Sequence, residues 1–383
     1  DARSTSLAGF PLLMPMLDIH TIGAGGGSIA YVDTGGAFRV GPQSAGAVPG
    51  PAAYGNGGTH PTVTDANLVL GRLEANDFLG GDMALDTKAA FKVIGKLADE
   101  LGLDILETAE GVLTILNSNM ANAIRSRTVQ KGIDPRDFAL VAMGGAGPLH
   151  GAEVAKMLQV PEVIVPLYPG ISSAMGLLTA DLKYEAIRTQ FQISSSLDLV
   201  RIENDFSAMA SELTARFAAD GVDVSEVSFQ RSGDLRYVGQ GYELKVAIND
   251  GRANLLTVEQ LWRDFHKIHG TEYGHTFEDS PIEIVNIRCT AVGNLPKLTR
   301  LNPSTEGSFE AALQSTRDCV FRSSSGLESF KTDVFKRDLL PIGQTFFGPA
   351  ILLQKDSTTV LPPETSAYVH PSGSVIIKLE AMR

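Results

Sequence analysis

Two glycine-rich segments carry the clearest chemical signal in this chain. The first, Gly23-Ala24-Gly25-Gly26-Gly27-Ser28, lies between two strand-like runs. Residues without a Cβ let the backbone turn sharply and bring N–H groups close to a phosphate, with no basic side chain needed. The second is Ala139-Leu140-Val141-Ala142-Met143-Gly144-Gly145-Ala146-Gly147-Pro148, then Leu149-His150-Gly151. A buried strand that runs into Gly-Gly-x-Gly and then a helix sets free N–H groups and a positive helix end beside the strand terminus, where ligands commonly sit. Each segment has a plainer reading. A glycine hairpin alone is more often a tight turn, and a strand–helix turn also uses small residues for packing. The first segment is neither a dinucleotide fingerprint nor a Walker A loop: Ser28 stands at the third glycine position, a strand pattern follows, and no Lys comes after the glycines.

Other polar residues are weaker candidates. Asp18, His20 and Asp33 flank the hairpin, and strand alternation sets Asp18 and His20 on one face. There they could hold Mg²⁺, a further divalent metal, or a water near phosphate; a solvated or structural role is the simpler expectation. Asp65 reads first as a helix cap. His150, one turn into its helix, is either a nucleotide contact or a packed histidine. His266 and His269 fall at i, i+3 with His275 beyond, but without an H-E-x-x-H signature or a third ligand they read as surface histidines. Arg236, Tyr237 and Gln240 lie among glycines, a texture that suits a domain interface or a substrate pocket alike.

The elements that must position these residues alternate in type. Leu17–Ile22 is a short apolar run, Ser28–Val32 and Phe38–Val40 are strand-like, and 41–61 is too rich in Gly and Pro for a helix or a central strand. Thr64 and Asp65 precede a helical pattern over 66–73. Apolar residues from Ala109 to Ile124 repeat at helical spacing over 108–130, with Gly132 where a stop belongs. Next come a buried-type strand over 138–143, a helix over 150–158 and a short strand over 163–165, the alternation of an α/β layer. The texture then changes, with strands at 191–194, 227–237, 242–248 and 282–292 and helices at 198–219 and 257–269. Ser, Thr and Asn over 301–325 suit a linker, and 346–379 reads as short strands broken by prolines. The expected division is 1–183, 184–300 and 301–383.

Composition bounds the function. The chain has 383 residues and a net charge of −12, with 43% hydrophobic and 20% charged residues. That acidity works against a nucleic-acid footprint but leaves a local phosphate pocket open. Cys289 and Cys319 form no zinc or disulfide framework, so a reduced cytoplasm is the expected compartment. No apolar run is long enough for a membrane span. The chain opens Asp1-Ala2-Arg3 without Met, a start expected of a processed product, a fragment or a renumbered chain.

A glycine hairpin followed about a hundred residues later by a strand–Gly-Gly–helix turn resembles the second half of the actin, hexokinase and heat-shock chaperone ATPase fold. The wording is more specific. GAGGGSIA (23–30), GPQSAGAVPGPAAYGNGG (41–58), TVTDANLVLGRL (62–73), GIDPRDFALVAMGGAGPLH (132–150), PGISSAMG (169–176), DLRYVGQGYEL (234–244) and GPAILL (348–353) together resemble the hydantoinase A/5-oxoprolinase family, in family order along nearly the whole chain. The resemblance implies an α/β, actin/hexokinase-like (ribonuclease H-like) half-domain, then a smaller α+β domain and a β-rich C-terminal segment. It implies that the backbone of Gly25, Gly26, Gly27 and Ser28 contacts ATP phosphates and that Gly144, Gly145 and Gly147 contact adenosine, with Mg²⁺ assisting. The reaction expected is hydrolysis of a cyclic amide such as 5-oxoproline or a hydantoin; carboxylation of a ketone and a non-catalytic subunit are the alternatives. The family's N-terminal half, with its own first phosphate loop, has no counterpart here, so this chain is not expected to complete an ATP site alone. That half, a hydantoinase B-like subunit or domain and oligomerisation are the expected partners. Ala53 stands where relatives commonly carry Cys.

Overall fold

The computed structural model describes residues 6–7, 10–11, 19–248, 255–294 and 307–379. The chain forms two compact units, one of residues 1–173 with 300–383 and the other of 174–299.

The first unit begins its well-packed part with an antiparallel hairpin, Ser28–Val32 against Phe38–Ser44, with an irregular register between Ser28 and Ala30. The second strand carries Gly41-Pro42 and so runs on into the Gly/Pro-rich stretch. Pro can occupy a two-stranded ribbon because its missing N–H faces outward rather than into a ladder. Residues 19–22 form no strand, and residues 17 and 18 of that apolar run lie outside the described residues. Three helices follow: Val63–Val69, Thr87–Leu101 and Ile105–Arg127. Their apolar faces bury Val63, Ala66, Ile94, Leu97, Val112, Leu113 and Leu116 in one core. Each starts at a side-chain cap, from Thr62, Asp86 and Asp104 respectively, which supplies an acceptor to N–H groups that have no partner inside the helix. Gly132 stops the chain in the left-handed conformation at φ 76°, after a short 3-10 turn beyond the long helix.

A second core of this unit lies on a five-stranded sheet with the strand order Thr345–Phe347, Thr365–Val369, Val375–Leu379, Glu162–Val165, Leu140–Val141. The buried-type strand expected over 138–143 is a correction. Two residues pair, at the sheet's edge, and Phe138, Val141 and Met143 are exposed. An apolar run reads the same whether its outer side is covered or bare, and among the described residues no strand lies beyond it. The C-terminal segment is part of this unit: Val375–Leu379 pairs antiparallel with Glu162–Val165. The linker expected over 301–325 also differs, because Leu313–Ser323 is a strand paired with Gly326–Lys336. Its polar residues alternate with the buried Cys319 and Phe321, a period-two pattern that Ser/Thr content concealed.

The second unit is a four-stranded antiparallel sheet in the order Leu182–Ile193, Ile282–Gly293, Val227–Tyr237, Leu244–Ile248. The helix Leu199–Ala219 and the helix Leu255–Tyr273 contribute Phe206, Met209, Phe217 and Phe265 to a core with Leu235, Val246 and Ile287 of the sheet. Among the described residues, no helix is long and apolar enough to cross a membrane.

Candidate active site

The glycine hairpin is held by its own last residue. Ser28 is buried; its Oγ accepts from the Gly25 N–H at 3.0 Å and donates to the Gly23 carbonyl at 3.1 Å, while its N–H donates to the Gly25 carbonyl at 3.0 Å. Two of the four amides expected to face phosphate are therefore spent inside the turn. Those of Gly26 and Gly27 have no acceptor among the described residues. Their carbonyls instead anchor the turn: Gly26 accepts from both the N–H and the hydroxyl of Thr64, and Gly27 from the N–H of Ala45. Glycine is required at Gly26 by close approach, since a Cβ there would lie 2.7 Å from Thr64 Oγ1.

Thr64 is placed by a capping box. Thr62 Oγ1 accepts from the Asp65 N–H, and the Asp65 carboxylate accepts from the N–H and hydroxyl of Thr62. Asp65 also accepts from the Ala53 N–H at 2.8 Å, so one buried carboxylate ties the Gly/Pro-rich loop to the helix start. Burial pushes its pKa up, and those hydrogen bonds oppose the shift. Ala53 is fully buried.

In the second turn, the Gly144 N–H donates to the Pro169 carbonyl, and Gly144 has φ 80°. Gly145 and Gly147 precede and begin the helix Gly147–Leu158, which has no side-chain cap. Gly26, Gly27, Gly145 and Ala146 all line one cavity of about 250 Å³. The two turns, far apart in sequence, thus face a common cleft.

A third wall was not legible in the sequence. Gln354–Thr358, the turn between the strands Ala350–Leu353 and Thr358–Leu361, lines the same cavity. Ser357 Oγ donates to the Gly145 carbonyl, and Asp356 Oδ2 accepts from the Gly170 N–H at 2.9 Å. Arg337 fixes this turn from behind. Its buried guanidinium donates to Gln354 Oε1 and to the carbonyls of Val165, Pro166 and Gly373. Burial lowers its pKa to about 10, so it is still a cation at neutral pH. A larger hollow of about 490 Å³ lies on the hairpin's other side, between Gly23 and Asn119. It touches neither Gly26 nor the second turn, so the smaller cavity is the better candidate.

The remaining candidates lie elsewhere or serve structure. His150 is buried, with Nδ1 2.9 Å from Asn117 Oδ1; it is a packed histidine outside the cleft lining. Asp33 accepts from Gly35, Ala37 and Arg39 in its hairpin. His20 is exposed, with Nδ1 3.1 Å from Arg127 Nη2, and Asp18 lies outside the described residues. Among the described residues, no three His, Cys, Asp or Glu side chains form a metal-holding group. Of the cleft's two carboxylates, Asp77 and Asp356, the second is already engaged. This set does not fit a Mg²⁺ site by itself.

In the second unit, the expectation of surface histidines is corrected for His269. It is fully buried, with Nε2 3.0 Å from Gln240 Nε2 and Nδ1 2.8 Å from the His275 carbonyl. His266 Nδ1 lies 2.7 Å from the Tyr237 hydroxyl. The helical face that carries Phe265 into the core carries His269 with it, one turn on, so spacing alone could not show which face was covered. Gln240 Oε1 also accepts from the Tyr237 N–H, and these bonds shape the glycine-containing turn of 238–241.

A family model described as hydantoinase/oxoprolinase matches residues 2–186, and one described as the hydantoinase/oxoprolinase C-terminal domain matches residues 195–374. The chain belongs to the hydantoinase A/5-oxoprolinase family. Among its relatives, the caprolactamase subunit alpha of Pseudomonas jessenii is 32% identical over 94% of the chain and 52% of its own length. The acetophenone carboxylase gamma subunit of Aromatoleum aromaticum is 30% identical over 95% of the chain and 51% of its own length. The chain therefore spans about half the length of these family members. Its fold is actin/hexokinase-like. A solved ATP-dependent caprolactamase from Pseudomonas jessenii superposes with a TM-score of 0.72 at 31% identity, over 96% of this chain and 54% of that one. A nucleotide-free acetone carboxylase superposes at 0.87 with 24% identity, over 97% and 54%.

Proposed function

We propose that this chain is part of an ATP-dependent cyclic amide hydrolase of the 5-oxoprolinase or caprolactamase kind. The observation that carries the reading is the shared cleft, into which the Gly26–Gly27 turn and the Gly145–Ala146 turn both open. In this reading the free amides of Gly26 and Gly27 take the phosphates, and the Gly145–Gly147 turn takes the adenosine. An amide carbon resists attack by water because its nitrogen is a poor leaving group and its carbonyl is stabilised by resonance. Transfer of the γ-phosphoryl group to the carbonyl oxygen releases ADP and gives an O-phosphorylated imidate. Water adds at the carbon and the ring C–N bond breaks to leave an acyl phosphate, and a second water at the same carbon releases phosphate with the former amide oxygen. What such a site contributes is position and charge stabilisation. The small cavity suits a partial site, with the rest of an ATP site supplied by a preceding half and a hydantoinase B-like partner. Mg²⁺ would neutralise phosphate charge, with ligands from outside the described residues.

The 30% identity to an acetophenone carboxylase subunit supports one alternative, in which an enol phosphate meets activated bicarbonate. ATP turnover by the assembled enzyme separates the readings. Turnover that rises with a lactam and releases an amino acid is expected. Turnover that needs a ketone and bicarbonate would replace hydrolase by carboxylase, and failure of the assembled protein to bind ATP would leave a structural subunit.

A further inference from the structure

One buried polar atom in the cleft has no hydrogen-bond partner among the described residues. Asn67 lies on the helix Val63–Val69, is 1% exposed and lines the cavity between the glycine turns. Its amide nitrogen donates to the Val63 carbonyl at 3.0 Å. That bond settles which end of the amide is which, because a flipped amide would set its oxygen against another carbonyl oxygen. Oδ1 is thereby a buried acceptor, and no donor among the described residues reaches it. Neighbouring polar groups of the cleft are engaged: Thr64 with Gly26, Ser357 with Gly145, Asp356 with Gly170. An orphaned buried acceptor calls for an explanation, and a ligand that donates to it is the simplest.

We infer that Asn67 is a recognition residue of this cleft, with Oδ1 accepting a hydrogen bond from a ribose hydroxyl of the bound nucleotide. The inference rests on the nucleotide reading above. An amide oxygen cannot pair with a phosphate oxygen, since both are acceptors, and the same holds for the ring nitrogens of adenine. Ribose hydroxyls and the adenine amino group are the nucleotide's donors. Thr64 is bonded to the Gly26 turn, and Asn67 comes three residues later, about one helical turn along. Where phosphates meet Gly26–Gly27 and the base meets Gly145–Ala146, the sugar is what spans the space between.

The test pairs changes in the protein with changes in the ligand, in the intact enzyme. Affinity is measured for ATP, 2′-deoxyATP, 3′-deoxyATP and purine riboside triphosphate, with the wild type and with Asn67→Leu, which keeps the side chain's branching and heavy-atom count and removes the acceptor. The wild type is expected to bind one deoxynucleotide about tenfold more weakly than ATP, and Asn67→Leu to lose about tenfold on ATP but nothing further on that deoxynucleotide. The ligand arm needs no variant, so it stands even where Asn67→Leu does not fold. ATP binding in the wild type with no penalty for either missing hydroxyl would overturn the inference and leave the nucleotide reading intact. Coupling to the purine amino group instead would overturn the ribose assignment. A folded wild type that binds no ATP would overturn the nucleotide reading first.

Discussion

His150 shows how a residue chosen for its chemistry can turn out to be architecture. Burial, aided by the positive charge of Arg72, lowers its pKa from 6.5 to about 4. The folded protein therefore refuses a proton that the unfolded chain takes up. Stability from this group is complete above about pH 6.5 and is lost as pH falls towards 4, by about 3 kcal/mol in all. Denaturant unfolding of wild type and His150→Gln across that window should show the difference between them shrinking as pH falls. A constant difference would mean that His150 does not titrate as a buried neutral group. Asp65 is the converse case, a carboxylate facing three donors. Asp65→Asn would point an NH₂ group at one of them, and a loss of about 1–3 kcal/mol is expected, read from the same unfolding curves.

At the scale of elements, two contacts tie the stretch around the Val63–Val69 helix to its surroundings. The first is the approach of the Val63–Val69 helix to the glycine turn. Gly26→Ala would force a Cβ to within 2.7 Å of Thr64 Oγ1, and ATP affinity should fall by about tenfold or more as the turn shifts. Adding Thr64→Ala removes the obstructing hydroxyl, so the double variant should bind better than Gly26→Ala alone; no recovery would show that the clash is not the cause. The second contact is Arg72. It donates to Glu110 at 2.7 Å and to the Val320 carbonyl, and its guanidinium lies 4.6 Å from the Phe321 ring centroid. One side chain thus joins the segment after the Val63–Val69 helix to the long helix and to a strand more than two hundred residues later. Arg72→Ala would strand Glu110, whose pKa burial already raises, and a cost of about 3–5 kcal/mol is expected in chemical denaturation. The helices Val63–Val69 and Ile105–Arg127 were legible because caps and apolar spacing are local, whereas Thr87–Leu101 was not read from the sequence. The short edge strand at Leu140–Val141 and the strand at Leu313–Ser323 were misjudged because what covers a face is not.

At the scale of the molecule, the chain order and the packing order disagree. Val375–Leu379 sits between Glu162–Val165 and Thr365–Val369 in one sheet, so one sheet of the first unit combines strands from residues 140–165 and 345–379. A chain cut after residue 306 should lose cooperative unfolding of residues 19–173, by near-ultraviolet circular dichroism and amide exchange. Residues 174–299, which carry their own sheet and core, should fold alone with a single transition. Retention of the first unit's cooperativity after truncation would mean that the C-terminal strands dock on a domain already formed.

The amino-acid sequence alone determined the family, the two glycine turns and most helices and strands of both units, because each rests on residue type and short-range spacing. It marked Asp65 as a capping residue, while the structure starts the helix earlier, with Thr62 as the cap and Asp65 as its partner three residues on. Tertiary structure decided that Gly26 and Gly145 share a cleft and that Gln354–Ser357 forms its third wall. It decided, too, that His269 is buried and that Asn67 holds an unpaired oxygen. Those are facts of close approach between distant segments, and hydrophobic pattern states which residues seek cover without stating what covers them.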